Sequence, residues 1–536
     1  MKLFGKIFLI FCLIHLSLTS CARKGVLTGG PKDETAPVFV SADPDYESIN
    51  FEAKKIKISF DEYIKLDDVN KQLIVSPPLK YPLDIRPLGS ASKFILIKIK
   101  DTLQENTTYS FNFGNSVVDN SEGNVYGNFK YVFSTGSYID SLSVKGEIKL
   151  ALSQELAAES TVLLYPMDST YNDSTIYKKQ GLYVGSTLDS SNFTITNIKA
   201  GEYKVIALRD RSKNFKYDPR EDLIGFSNKT LNLPLDTSSI ELKIFKEILN
   251  FKLYKPKQIQ MGHIVFPYQG ILPDSFNIAS FTQGKSLDQY KILKDPEKDS
   301  LHFWYPRNLQ DSLVFRVNYQ KERDTFMTLL RSKTYDSLKV SDKTRGVLGL
   351  DKNFKVKFNQ PLLKIDTSRI SLLAQDSIPQ KLNLIYMEES KEIYFSFKKA
   401  EKSIYSISSL PGAYIGQNES IGDTLVFKMQ TGSIEDYGDL TLSFRSKELQ
   451  EIIVDLLDKE GKAVDSQSVK SDEKVLFSLL KPDKYQIRIK IDTNKNGKWD
   501  TGDYLKQLQP EPVVFFPTQI NIRANFSENE IIDLIQ

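Results

Sequence analysis

Residues 492–503, Asp-Thr-Asn-Lys-Asn-Gly-Lys-Trp-Asp-Thr-Gly-Asp, carry oxygen-bearing side chains at loop positions 1, 3, 5, 9 and 12 and glycine at position 6. Calcium takes about six to eight hard oxygen ligands, and short side chains at alternate positions of a tight loop can converge on one point. The ligands expected here are Asp492, Asn494, Asn496, Asp500, Asp503 and the backbone carbonyl of Lys498. Asp503 stands where a bidentate Glu is usual, which weakens affinity. The competing reading is a plain β-hairpin, since Asn496-Gly497 suits a type I′ turn between strands. A second stretch repeats the spacing at Asp210, Ser212, Asn214, Lys216, Asp218 and Glu221, now with Glu at position 12. There Phe215 replaces the glycine, and Arg211, Lys213, Lys216 and Arg220 surround the loop with positive charge. An ion in either loop would be structural, because neither supplies a general base or an activated water.

Little other chemistry is available. Beyond residue 21 the chain has no cysteine and only two histidines, His263 and His302, each beside apolar residues and each read as a packing or surface residue. A zinc site is not expected without a Cys partner or an HExxH run. No GxSxG elbow, P-loop or strand-linked GxGxxG occurs. Asp61-Glu62 and Asp67-Asp68 can be imagined as a glycosidase carboxylate pair, which makes a hydrolase the remote alternative. Trp304 and Tyr305 offer aromatic faces on which a sugar could stack, the competing role being core or domain interface. No catalytic residue is assigned, and no cofactor is expected apart from structural calcium.

The elements that would position these residues begin after a processed N-terminus. Lys2 and Lys6 precede an apolar run from Ile7 to Leu18, and Thr19-Ser20 lead into Cys21, so residues 1–20 read as a signal peptide. A bilayer core needs about 20 apolar residues in a helix, and this run is too short to span one. Leu18-Thr19-Ser20-Cys21 resembles the bacterial lipobox, which implies that Cys21 is lipidated and holds the chain to the outer membrane, on its periplasmic or outer face. Two or three acyl chains anchor stably where one is marginal. Cys21 would then be the sole mature cysteine, so no disulfide forms within the chain. Residues 21–37, polar and rich in Gly and Pro, read as a tether.

The chain has 536 residues, too many for one ordinary domain, with 71 Lys+Arg against 68 Asp+Glu, a balance that argues against nucleic acid as a partner. Period-two alternation dominates from residue 38 onward, as in Lys55-Ile56-Lys57-Ile58-Ser59-Phe60 and Phe354-Lys355-Val356-Lys357-Phe358, which predicts half-buried strands. Helix-period segments are scarce, with Leu150–Ala158 and Gln320–Arg331 the best candidates. Two blocks recur in the same order. Block A runs from ISFDEYIKL at 58–66 to FSTGS at 133–137 and returns as A′ from VKFNQPLLKI at 356–365 to MQTGS at 429–433. Block B runs through Ile198 to Asp210 and returns as B′ through Leu480 to Asp492, each copy placing an Asp seven residues after a Tyr, just past a strand end.

Block A resembles the SbsA-type bacterial Ig-like family of Bacteroidetes lipoproteins, on TAPVFVSADP (35–44), ISFDEYIKL with LIVSPPL (73–79), and NTTYSFNFGNSVVDNSEGN (106–124) leading into YVFSTG. Block A′ matches more loosely, with Asn359-Gln360-Pro361 in place of Asp61-Glu62-Tyr63 and no NTTY stretch. Block B resembles the prealbumin-like and Cna B-type sandwiches through Val144-Lys145-Gly146-Glu147-Ile148 and Gly201-Glu202-Tyr203-Lys204-Val205. The expected fold is all-β, tandem Ig-like and prealbumin-like sandwiches in the order A, B, middle, A′, B′, at 38–140, 141–250, 251–345, 346–437 and 438–536, the middle block without a family. The expected function is a non-enzymatic outer-membrane lipoprotein, an elongated array serving as scaffold or binding subunit for an outer-membrane β-barrel complex. A glycan-binding surface lipoprotein is the alternative.

Overall fold

The computed structural model describes residues 32–187, 190–236, 238–309, 311–342 and 347–534. The signal peptide, Cys21 and most of the tether lie outside these residues. The packing of the chain separates two compact units, one of the described residues up to Ser143 with Leu182–Val184 and Thr196–Lys199, the other of the remainder.

In the first unit the alternation of Lys55–Leu66 becomes a strand whose even-numbered apolar residues, Ile56, Ile58, Phe60 and Ile64, are buried. Fully burying an Ile or Phe side chain stabilises by about 1.5–3 kcal/mol, which fixes which face of the strand points inward. Its sheet runs Phe39–Asp43, Lys55–Leu66, Ser92–Lys98, Asp84–Arg86, with Val117–Asp119 on the far end of the long strand. The facing sheet is Ile74–Ser76, Thr108–Asn112 and Lys130–Ser134, and Phe111, Phe113 and Phe133 fill the space between. The loop before Thr108–Asn112 is pinned by Tyr109, whose hydroxyl accepts Gln104 N (2.9 Å), and by Thr135, whose hydroxyl donates to Gln104 O (2.6 Å) and accepts Thr107 N (3.0 Å).

Block A′, in the second unit, repeats this arrangement atom for atom. Tyr405 Oη accepts Ala400 N (2.7 Å), while Thr431 Oγ1 donates to Ala400 O (2.6 Å) and accepts Ser403 N (3.0 Å). Lys402-Ser403-Ile404-Tyr405 is therefore the counterpart of Asn106-Thr107-Thr108-Tyr109, and Lys402 shares the left-handed backbone of Asn106 (φ 51° and 49°). The long strand of block A is split here into Phe354–Phe358 and Leu362–Ile365. Pro361 lacks the N–H that a continuous ladder needs. Gln360 fills the break, its amide buried against Asn418 N (3.2 Å) and Ser420 Oγ (3.0 Å).

Blocks B and B′ share a topology. A central pair, Thr161–Pro166 with Gly201–Arg209, corresponds to Glu451–Leu457 with Lys484–Asp492. Leu223–Phe226 and Leu231–Leu233 add to Gly201–Arg209 just as Val513–Phe515 and Ile520–Asn521 add to Lys484–Asp492. In each block the last strand lies parallel to the first, Ile240–Ile244 on Leu142–Leu150 and Ser527–Asp533 on Gly438–Arg445. The first strand is thus enclosed between neighbours in both copies.

The middle block is also a two-sheet sandwich. One sheet contains Lys252–Leu253, His263–Gln269, Ser300–Trp304 and Lys291–Lys294, the other Lys285–Ser286, Asn277–Thr282, Ser312–Tyr319 and Glu322–Leu329, closed over Phe266, Phe303 and Phe315. Neither helix candidate forms. Gln320 turns with positive φ and Glu322–Leu329 hairpins back as a strand on Ser312–Tyr319. Leu150 ends a strand, Gln154 is left-handed, and Leu156 bridges back to Lys149. Among the described residues the one α-helix is Val69–Gln72.

Candidate functional site

Asp492, the last residue of its strand, turns its carboxylate into the loop that follows, accepting Asn496 N (3.1 Å) and Gly497 N (2.7 Å). Lys495 and Gly497 take left-handed backbone (φ 61° and 79°), which swings residues 494–500 back over Asp492. Asn494 Nδ2 and Asn496 Nδ2 both donate to Asp500 Oδ2 (2.5 Å each). Four oxygen-bearing side chains, Asp492, Asn494, Asn496 and Asp500, therefore gather, but the asparagine oxygens accept backbone N–H groups of Asn496 (3.1 Å) and Lys498 (3.0 Å), so a hard cation such as calcium fits only if both amides turn their oxygens inward. Asp503 is not among them. Its carboxylate pairs with Lys506 (2.8 Å) and its backbone bridges to Leu508. The acid that closes the loop is Glu511, which accepts Thr493 N and Oγ1 (2.7 Å each) on one oxygen and Asp500 N (3.0 Å) on the other.

The loop after Asp210 has the same frame. Asp210 Oδ2 accepts Phe215 N (2.5 Å), Asn214 Oδ1 accepts Lys216 N (2.8 Å), and Lys213 and Phe215 are left-handed (φ 54° and 58°). Asp222 does the work of Glu511, accepting Arg211 N (3.0 Å) and Asp218 N (2.8 Å), the N–H groups of the same two loop positions. Burial pushes the Asp222 carboxyl up, against the pull of those two N–H groups. Here the donor set does not fit calcium. Arg220 holds the Asp218 carboxylate (2.8 Å) and keeps it below the usual range, and the closing acid is Asp222, not Glu221. Among the described residues no three His, Cys, Asp or Glu side chains cluster as a metal site, so an ion at Asp492 depends on the asparagine oxygens.

Beyond Asp500 the chain leaves its own sandwich. Tyr504, 0% exposed, hydrogen-bonds through its hydroxyl to Tyr171 Oη (3.0 Å) and sets its ring edge-on to Phe226 (5.3 Å, 78°). Its backbone N–H donates to Glu247, whose other oxygen accepts Tyr217 Oη (2.6 Å). Thr501 Oγ1 donates to Lys246 O (2.7 Å), Lys204 Nζ to Gln507 Oε1 (2.8 Å), and Gln509 Nε2 to Phe226 O (2.9 Å). A side chain on Gly502 would strike the Phe245 ring. Residues 501–511 of block B′ thus clamp block B, so the reading as an elongated array fails within the second unit: two blocks separated in sequence by the middle block and block A′ are in direct contact.

Trp304 and Tyr305 are corrections of another kind. Trp304 is 2% exposed, lying flat on His263 (3.8 Å between ring centres, 2° apart), and Tyr305 is as deeply buried, its hydroxyl bonded to Gln258. Neither ring leaves a face for a sugar. Trp304 and His263 are cross-strand partners, and His302 links His263 (2.9 Å) to Asp295 (3.1 Å). Across this face lies block A′: Lys291 pairs with Glu388 and donates to Leu362 O (3.0 Å). Burial, together with the charges of His302 and Lys391, pushes the His263 imidazole down to about 3, so it is neutral. Of the imagined carboxylate pairs, Asp61 accepts Val38 N (2.8 Å) and Asp68 forms an exposed ion pair with Lys71 (2.9 Å).

These sheets define a chain of tandem Ig-like β-sandwiches. The family described as bacterial Ig-like domain matches residues 33–135, nearly all of block A. No curated protein matches the sequence. Among solved structures, the major pilin subunit of Bacillus cereus is similar over 74% of this chain and 99% of its own, at 11% identity and TM-score 0.15. The S-layer protein SbsC is similar over 91% and 67%, at 12% identity and TM-score 0.15. An I-band fragment of titin is similar over 56% and 100%, at 11% identity and TM-score 0.13. Overlaps this slight carry nothing about function.

Proposed function

We propose that the chain is a non-enzymatic lipoprotein of the outer membrane, anchored through Cys21, which serves as the scaffold or docking subunit of an outer-membrane β-barrel complex of assembly, secretion or uptake type. Tandem bacterial Ig-like sandwiches suit surface, scaffold and adhesive roles, and the matched family is not a catalytic one. The observation that carries the reading is the clamp of residues 501–511 on block B, which joins blocks distant in sequence into one preformed body with sheet edges and loop tips turned outward. Rigid bodies of this kind bind with little ordering cost, and edge strands accept partner strands. A structural calcium ion held by Asp492, Asn494, Asn496, Asp500 and the Lys498 carbonyl would stiffen the loop that leads into the clamp. Purification of the tagged, lipidated protein from its native envelope in mild detergent tests the reading. A stoichiometric β-barrel partner is the expected result, and recovery of the protein alone would refute it.

A further inference from the structure

Block A carries more acidic than basic side chains overall, yet its charges are segregated. The outward residues of Lys55–Leu66 and Ser92–Lys98, with Arg86 beside them, bring Lys55, Lys57, Lys65, Lys93, Lys98 and Arg86 onto one sheet face. Two aromatic rings stand among them, Phe94 41% and Tyr63 57% exposed, with Lys57 over Phe94 (4.8 Å) and Lys93 over Tyr63 (5.5 Å). The acids on this face are already engaged or offset: Asp61 accepts Val38 N, Asp84 lies 3.8 Å from Arg86, and Asp43 sits opposite Lys57. Among the described residues none of the five lysines makes an ion pair within this unit. Lys65 and Lys93 donate to the carbonyls of Asn120 (3.2 Å) and Asp61 (2.9 Å) and keep their charge, so the face holds lysine stems, exposed rings and cations in excess of the carboxylates Asp43, Asp61 and Asp84; this matches the chemistry of a lipid–water interface, where rings enter the headgroup layer and ammonium groups meet phosphates.

We propose that this face of block A lies on an anionic phospholipid surface. The proposal rests on the lipid-anchor reading only for proximity: the residues between Cys21 and Phe39 reach at most roughly 60 Å when fully extended, at about 3.3–3.6 Å each. The face would then set the height and tilt of the scaffold at the membrane, an orientation that the tether alone leaves free.

The test uses the mature full chain carrying Cys21→Ser, so that no acyl chain contributes, and co-sedimentation with vesicles of phosphatidylcholine alone or mixed equally with phosphatidylglycerol. Binding to the anionic vesicles alone, weakening as salt rises, is expected. One lysine near such a surface is worth about fivefold in partition, so Lys57→Glu with Lys98→Glu should lose at least about 25-fold. Lys229→Glu, outside the face, should lose little, and matching thermal melts would show that the variants fold. Equal partition into both vesicle types, no binding to either, or an unaffected double variant would overturn the proposal. Whether Cys21 is lipidated is read separately, from the intact mass of the wild-type protein, so the two ideas fail independently.

Discussion

Tyr504→Ala is the sharpest test of the clamp. The side chain is fully buried, packed edge-on to Phe226, and its hydroxyl shares a hydrogen bond with Tyr171, so its removal deletes a ring from between two blocks. Truncating a buried aromatic costs about 3–5 kcal/mol, within which an edge-to-face pair accounts for about 0.5–1.5 kcal/mol. A loss of about 4 kcal/mol corresponds to roughly a thousandfold more frequent local opening. Because a multi-domain chain does not unfold in two states, the assay is hydrogen exchange resolved by peptide. Exchange should accelerate together in Val513–Phe515 of block B′ and in Leu223–Phe226 of block B, because the clamp shields both. Tyr504→Phe should cost only about 1 kcal/mol, and its double-mutant cycle with Tyr171→Phe should give a coupling of about 0.5–1.5 kcal/mol. Faster exchange confined to block B′, or a zero coupling, would refute a contact between the blocks.

Three further outcomes follow from buried charge and from the loop. Asp455, buried in Glu451–Leu457, meets Arg488 (2.7 Å) and Lys490 (2.9 Å); desolvation opposes its charge, but Lys490, Ser466 and Arg488 outweigh it and hold the carboxyl low. Asp455→Asn should therefore destabilise block B′ by about 3–5 kcal/mol in urea unfolding at pH 7, and the wild-type advantage should vanish as pH falls below about 4 through the folded-state value. His263 runs the other way: the unfolded chain takes a proton near pH 6.5 and the folded one only near 3, so stability falls as pH drops below about 6.5. At pH 5 the loss is about 2 kcal/mol, read as a lower urea midpoint that His263→Phe should no longer show beyond what His302, Asp295, Lys298 and Lys391 contribute. Calcium at 100 times its dissociation constant should stabilise block B′ by about 2.7 kcal/mol, a shift seen by calorimetry against a chelator and abolished in Asp492→Asn with Asp500→Asn. Asp218→Asn should leave it intact.

Alternation was enough for the strands because the side-chain period of a strand is two and burial decides its face; Lys55-Ile56-Lys57-Ile58 has one stable way to lie on a core. Gln320–Arg331 misled because it forms an edge strand whose inward residues include the polar Asp324 and Thr328 while the apolar Met327 and Leu329 point outward, leaving its period weak. The kinship of blocks A and A′ was visible in their closing FSTG and MQTG runs. The match of Ser403-Ile404-Tyr405 to Thr107-Thr108-Tyr109 was not, since only the Tyr hydroxyl and the backbone it holds are common to both.

The loop after Asp492 shows where local sequence stops. Spacing along the chain determined that Asp492, Asn494, Asn496 and Asp500 converge, because left-handed Lys495 and Gly497 curl a short segment on itself. It could not determine the closing acid. Glu511 and Asp222 fill one role at different separations from their loops, and each is brought there by the strand that returns beside it. The same limit holds for Trp304, whose type fits a sugar platform or a buried junction equally well until block A′ covers that face. Local periodicity and turn chemistry act over a few residues and are written in order along the chain. Contacts between blocks depend on how whole sheets pack, and only the tertiary structure holds that information.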